Sequence, residues 1–305
     1  MSSPSPLDRR SFLLASAALA ASPLRAQEPV GNFPTDPRAR LSVATYPFRS
    51  IIKSVHRKTP ESVGATLALE QFAASIPRRF DVRGIEPWSP HFVSTDAGYI
   101  RDLRASFDKA GVHVVDIPVD TSAYLCSTSP AERDRAAQIW RQWADAAVTL
   151  GSPSIRVHLP HEGDDACIVT ALRALLDYAR PKNIVVNLEN DNPKSEDAFR
   201  VVKIIEQVNS PFLRALPDFC NSRLIGDEAY NYRALTAMFA HAYNISHVKD
   251  EETDDGKVLR VDVAPIFSIA KQSGYRGYFS MEWEGRGDPY DGTKRLIEQS
   301  LRNLP

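Results

Sequence analysis

From Leu41 onward the chain alternates short runs rich in β-branched and aliphatic residues with longer segments whose apolar residues recur every three or four positions. This alternation constrains the fold more than any other feature, because parallel strands need a long crossover between them and a helix supplies it. The β-rich runs are eight: Leu41–Thr45, Gly84–Glu86, Val112–Ile117, Ser154–His158, Ile184–Glu189, Leu213–Asp218, Asn244–His247 and Gly277–Glu284. Helical spacing fills the intervals, as in Tyr99–Ala110, Ala131–Leu150, Ile168–Ala179 and Ala229–Ala242. Eight such units close on themselves, so the pattern predicts an α/β chain folded as a single-domain (β/α)8 TIM barrel over residues 41–305. A chain of 305 residues, 43% hydrophobic, can build one core of that size and has little left for a second domain. The main structural rival is an open doubly wound sheet. It would carry a Gly-rich phosphate loop after its first strand, where Tyr46-Pro47-Phe48-Arg49 stands instead.

Ahead of the barrel, Asp8-Arg9-Arg10-Ser11-Phe12-Leu13-Leu14 precedes a small apolar run from Ala15 to Ala21, and Leu24-Arg25-Ala26 offers a small-residue cleavage site. The segment resembles a bacterial twin-arginine signal peptide. That resemblance implies export of a folded protein to the periplasm or beyond, with residues 1–26 removed and 27–40 left as a leader. The apolar run falls short of the roughly 20 residues a membrane-spanning helix needs, so no stable membrane insertion is expected after processing.

Lys plus Arg number 37 against 38 Asp plus Glu, which leaves no basic excess to steer the chain onto nucleic acid or an anionic membrane. A small-molecule partner is expected. The three cysteines, Cys126, Cys167 and Cys220, are odd in number and widely spaced, so neither a disulfide framework nor a thiolate metal site is indicated, and buried thiols are expected. The charged run Glu251-Glu252-Thr253-Asp254-Asp255-Gly256 reads as a solvated loop.

In a barrel of this kind the chemistry lies at the C-terminal ends of the strands. Four ends stand out: Asn187-Leu188-Glu189-Asn190, Leu216-Pro217-Asp218-Phe219-Cys220-Asn221, Ser246-His247-Val248-Lys249-Asp250 and Ser280-Met281-Glu282-Trp283-Glu284-Gly285. Glu189, Asp218, His247 and Glu282 are separated by 218 − 189 = 29, 247 − 218 = 29 and 282 − 247 = 35 residues, close to one repeat each. One carboxylate or imidazole per consecutive strand thus converges on the barrel axis. Three crowded carboxylates repel one another unless a cation or shared protons compensate them. Mostly oxygen ligands with one imidazole suit one divalent metal ion: Mn2+, Mg2+ or Co2+ in preference, Zn2+ as an alternative. Strand parity puts Val185, Asn187 and Glu189 inside. It also puts Ser280, Glu282 and Glu284 inside and does not choose between the two glutamates; Glu282 is taken because Gly285-Arg286-Gly287 follows Glu284 as loop.

The order Glu, Asp, His, Glu on strands five to eight, carried by NLEN, PDFCN, SHVKD and SMEWEG, resembles the xylose isomerase-like superfamily of sugar-phosphate isomerases and epimerases. The resemblance runs over essentially the whole mature chain. It implies that Glu189 and Glu282 bind metal and exchange a proton with the carbon beside a carbonyl, as the ketose 3-epimerase branch does. Some epimerases carry a histidine three residues beyond the strand-six aspartate, where this chain has Asn221; a hydrogen bond to substrate survives that change and proton transfer does not. The family's further arginine contact after the strand-seven histidine finds no counterpart here.

The expected function is metal-dependent isomerisation or epimerisation of a sugar or keto-sugar derivative through a metal-stabilised enediolate. A lyase or dehydratase acting on an oxidised sugar or glycoside would use the same site, and export favours it because phosphorylated sugars are scarce outside the cytoplasm. A noncatalytic exported sugar-binding barrel is the rival of a different class. Substrate contacts are expected from Lys249, Asn221, His158, Glu86 and Glu284, with Tyr46, Arg49, Trp88 and Arg156 nearby. Lys249 reads equally as a lysine paired with a barrel carboxylate. Glu86 and His158 read equally as polar residues plugging the barrel or as groups supporting a metal ligand.

Overall fold

The computed structural model describes residues 28–55, 60–121, 125–160, 164–254 and 257–304. The twin-arginine segment lies outside these residues, as does His161. The strands run in chain order as β1 Leu41–Ala44, β2 Gly84–Glu86, β3 His113–Val114, β4 Pro118–Val119, β5 Ser154–Val157, β6 Val185–Glu189, β7 Leu213–Leu216, β8 Ile245–Val248, β9 Glu251–Asp254, β10 Lys257–Arg260 and β11 Tyr278–Met281. The helices are α1 Leu69–Phe80, α2 Ala97–Ala110, α3 Pro130–Leu150, α4 Asp165–Ala179, α5 Ala198–Val208, α6 Glu228–Phe239, α7 Val263–Gln272 and α8 Pro289–Asn303.

Parallel ladders run in the orders β3-β2-β1-β11-β8 and β4-β5-β6-β7. Two joins close them into a ring. The first is the third barrel strand, which is split: Val115 N–H bonds back to Ile85 on β2, while Ile117 C=O accepts from Arg156 on β5. The second is the β7–β8 seam, where His247 N–H donates to Pro217 at 3.0 Å and Phe219 N–H to His247 at 3.2 Å. The result is the expected single (β/α)8 barrel.

Sequence alternation explains which side chains face where. Leu41, Val43, Ile85, Ile155, Val186, Leu188, Phe279 and Met281 point outward and are buried under the helices. Much of the inward set is polar: Ser42, Glu86, Asp116, Ser154, Asn187, His247 and Ser280 are all 0% exposed, and Val115, Leu216 and Ile245 form a small apolar cluster apart from the main core. Below the mouth, Asn187 Nδ2 reaches Asp116 and Asn244 at 3.1 Å each, and Asn244 Nδ2 reaches Ser154 at 2.6 Å. Aspartates start the later helices, with Asp164, Asp197, Asp227, Asp262 and Asp288 each accepting a backbone N–H of the first turn. The leader crosses the N-terminal end of the barrel. Phe33 packs edge-on against Tyr243 and Tyr278, and Arg40 donates to the carbonyls of Gly277 and Tyr275.

Two expectations are corrected. The charged run after the seventh barrel strand is not a plain loop: β9 pairs antiparallel with β10, Asp254 facing Lys257 and Glu251 facing Arg260, so cross-strand charge pairs offset the acidity of the first strand. Cys126 and Cys167 are not free thiols but a disulfide with Cα atoms 6.0 Å apart, while Cys220 is the buried thiol. Cys126 precedes α3 and Cys167 lies in the first turn of α4. One stands in a βα loop and the other just after the next βα loop, and the barrel gathers these loops at one end although 41 residues separate the two cysteines in sequence. A loop of that length gives a stabilisation of about 4 kcal/mol by chain entropy. The Cys126→Ser variant is therefore expected to unfold at lower denaturant than the oxidised wild type, and a reduced wild type to match the variant. Equal midpoints for oxidised and reduced protein would show that the bridge contributes nothing.

Candidate active site

Four successive strand ends carry the expected donors to one place. Glu189 ends β6, Asp218 lies two residues past β7, His247 sits within β8, and Glu282 follows β11 by one residue with its N–H still bonded to Val248 at 3.0 Å. Each offers one donor atom, and these atoms all lie within 4.8 Å of one another with all four residues buried. His247 Nδ1 is 2.9 Å from Glu189 Oε1 and 3.0 Å from Glu282 Oε2. An octahedral ion with bonds of about 2.1 Å holds adjacent donors about 3.0 Å apart, so these spacings suit a shared divalent ion. Asp218 gives a second sign of fit. Its Oδ1 accepts N–H bonds from Cys220 and Asn221 at 2.8 and 2.7 Å, whereas its buried Oδ2 accepts none among the described residues. Asn190 sets the height of this carboxylate, accepting from Asp218 N–H at 2.7 Å and donating to its carbonyl at 3.1 Å.

The surrounding charges are arranged unevenly. Burial works to raise the Glu189 carboxyl, but His247, Arg156 and Lys249 outweigh it and hold the group at about 2. Burial raises Asp218 to about 7 against the pull of Lys249, with Glu189 and Glu282 adding to the rise. Burial opposes charge on His247, yet Glu282, Glu86 and Glu189 around the ring lift it well above the ordinary histidine value. Lys249 is likewise lifted against burial by Asp218, Glu284, Glu252 and Glu282. An acid-rich pocket built this way carries a strong demand for positive charge.

Residues expected to touch substrate fall into different positions. Lys249, 2% exposed, donates to Asn221 Oδ1 at 3.0 Å and pairs with Glu252 at 3.2 Å, with Glu284, and with Asp218 and Glu282 at 3.6 Å each. Glu284 is therefore the partner of Lys249, and burial raises it to about 7. Asn221 reaches back to Glu189 Oε1 at 3.4 Å. Glu86 is fully buried behind His247, its Oε1 2.9 Å from His247 Nε2, and does not face the mouth. Tyr46 stands edge-on to Trp88 with the Arg49 guanidinium 4.4 Å from the centre of its ring. Burial and then Glu284 raise its phenol.

Arg156 pairs with Glu189 instead of standing free for a substrate. Its Nε lies 3.1 Å from Glu189 Oε2 and its Nη1 3.1 Å from Asp120, with His158 alongside. His158 is 2.9 Å from Asp120 and 3.1 Å from Glu196, and its Nδ1 is 3.5 Å from Asp191, forming a second acidic cluster next to the first. Glu196 there serves as a staple, accepting the N–H of Leu159 at 2.7 Å and of Asn192 at 3.3 Å. Asp120, Asp191, Glu196 and Asn190 escaped the sequence reading. Only the Asn-rich run after β6 hints at them, since Asn and Asp after a strand commonly bond to nearby backbone.

This barrel, with its donors at the C-terminal mouth, belongs to the xylose isomerase-like TIM barrel family, whose model matches residues 78–304. Among solved structures it is similar to D-allulose 3-epimerase from Methylomonas sp., with 17% identity, a TM-score of 0.66, and coverage of 90% of this chain and 100% of that one. It is also similar to 3-keto-D-glucoside 4-epimerase from E. coli, with 16% identity, a TM-score of 0.62, and coverage of 83% and 99%. A third is the probable 3-DHS dehydratase of Bacillus anthracis, with 15% identity, a TM-score of 0.65, and coverage of 87% and 99%. At these identities the likeness is one of fold. No curated protein sequence matches the chain at a significant level. Among the described residues no helix is long and apolar enough to cross a membrane.

Proposed function

We propose that the protein is a metal-dependent isomerase or epimerase acting on a sugar or keto-sugar derivative by removing a proton next to a carbonyl. The observation that carries this reading is the convergence of Glu189, Asp218, His247 and Glu282 within 4.8 Å at the mouth of the barrel. These four would hold one divalent ion: Mn2+, Mg2+ or Co2+ in preference, with Zn2+ as the alternative. Such an ion supplies Lewis acidity toward a carbonyl oxygen and its neighbouring hydroxyl. The carboxylates of Glu282 and Glu189 flank the same space, and we assign them the removal and return of the proton. Glu282 is the freer of the two, since only its Oε2 pairs with His247 and Lys249, while both oxygens of Glu189 are engaged by His247 and Arg156. Tyr46 and Trp88 wall the β1–β2 side, and Lys249 with Glu284 and Glu252 walls the adjoining β11–β8 side. Solved neighbours named for D-allulose and 3-keto-D-glucoside epimerisation are consistent with an uncharged keto-sugar.

The engagement of Glu189 favours a second reading, elimination. There Glu282 alone takes the α-proton, the C–H electrons form the enolate, and a β-hydroxyl or glycosidic oxygen leaves. A dehydratase among the structural neighbours fits that outcome. We place the mature protein in the periplasm or otherwise outside the cytoplasm; the twin-arginine pattern and the Cys126–Cys167 bridge both support this. Incubating the metal-loaded protein with a panel of keto-sugars in D2O tests the chemistry. An isomer with one deuterium in place of a hydrogen marks isomerisation, and an unsaturated product with a released alcohol or water marks elimination. A metal-loaded protein that exchanges no proton with any of them would leave the sugar-binding barrel as the better account.

A further inference from the structure

We infer that Glu86 is a positioning residue that fixes the tautomer of His247, so that Nδ1 is the nitrogen presented to the metal. This rests on the metal-site reading above and adds to it a residue on the far side of the barrel.

A buried carboxylate is costly unless it is paired, and two such groups in this barrel, Glu196 and Asp218, staple backbone amides together. Glu196 accepts two backbone N–H bonds, and Asp218 does the same through Oδ1. Glu86 is 0% exposed and bonds to no backbone amide; Oε1 meets His247 Nε2 at 2.9 Å, and Oε2 has no hydrogen-bond partner among the described residues. Its burial thus serves the imidazole and no fold element.

The barrel is built to allow this reach. Glu86 on β2 and His247 on β8 are separated by β1 and β11. The residues in register between them are Ala44, opposite Glu86, and Ser280, opposite His247. Both are small, which opens a path across the lumen that a larger side chain at either position would close.

A neutral imidazole has one donor nitrogen and one acceptor nitrogen. A carboxylate can only accept, so Glu86 holds the proton on Nε2. Nδ1, 2.9 Å from Glu189 Oε1 and 3.0 Å from Glu282 Oε2 where the other donors gather, is then the nitrogen that gives up its proton when an ion binds. The ring is held from behind as well as oriented, as in carboxylate–histidine–metal triads.

The test uses metal-free full-length mature protein titrated with Zn2+ alone, in wild type, Glu86→Gln and Glu86→Leu. Nitrogen-15 NMR of the zinc-loaded wild type should show His247, assigned by its absence from His247→Gln, with a proton on Nε2 and none on Nδ1. Zinc affinity should fall about 10- to 100-fold in Glu86→Leu and by less in Glu86→Gln, whose amide oxygen still accepts from Nε2. Zinc on Nε2, or a Leu variant binding as tightly as wild type, would overturn the assignment while leaving the metal site in place. A wild type that takes up no Zn2+ would remove both. If the Leu variant does not fold, the wild-type spectrum and the Gln variant still decide.

Discussion

Alanine at position 247 is expected to abolish stoichiometric metal binding: where the purified wild type carries about one divalent ion per chain, the variant should carry none after the same reconstitution with Mn2+, Co2+ or Zn2+. Elemental analysis reads this directly. The substitution removes the one nitrogen donor, whose Nδ1 lies within 3.0 Å of both Glu189 and Glu282. It also strips the Glu86 carboxylate of its one hydrogen-bonding partner among the described residues, leaving a fully buried carboxylate unpaired. Breaking a buried pair from one side costs about 3–5 kcal/mol, so the single variant should also unfold earlier. The double variant Glu86→Gln/His247→Ala separates the two effects. It should regain stability because no charge is stranded, and it should still bind no metal. Full metal occupancy in a folded His247→Ala protein would show that the carboxylates alone make the site and would demote His247 to a structural link.

The fold was legible because a barrel repeats its own rule. Each strand end had to be followed by a helix and then another strand, and the inward parity of Asn187 with Glu189 put one polar group per strand on the axis. What the sequence did not reveal is lateral. That Arg156 turns onto Glu189, that Glu86 reaches across two strands to His247, and that Lys249 sits among four carboxylates all depend on which side chains between them are small. The interruption of the third strand at Val115-Asp116-Ile117 was equally hidden, since a run of aliphatic residues there reads as one unbroken strand. The disulfide escaped for a related reason: it joins two loops that come together only because the barrel gathers them. In sequence the β9–β10 hairpin looks like loop because acidic residues are poor strand formers, and their pairing with Lys257 and Arg260 lies on the other strand.

Replacing Lys249 by methionine should have the other large effect, and its size should depend on metal. The ammonium is the shared countercharge of Glu252, Glu284, Asp218 and Glu282, and its own exposure is 2%. Methionine keeps most of the stem volume and removes the charge, leaving four carboxylates facing one another in a buried space. In metal-free protein the expected loss is about 3–5 kcal/mol, the cost of stranding buried charge. A bound divalent ion would neutralise Asp218 and Glu282 but not Glu252 and Glu284, which lie on the rim with the hairpin and the β11 loop. Adding metal should therefore raise the thermal midpoint of Lys249→Met by more than it raises that of wild type, since in the variant the ion takes over part of the charge balance that Lys249 supplied. Thermal unfolding of both proteins, with chelator and with saturating Mn2+, measures the difference. An equal rise in both would mean that metal and lysine act on separate charges, and the four-carboxylate cage would have to be redrawn as two independent pairs.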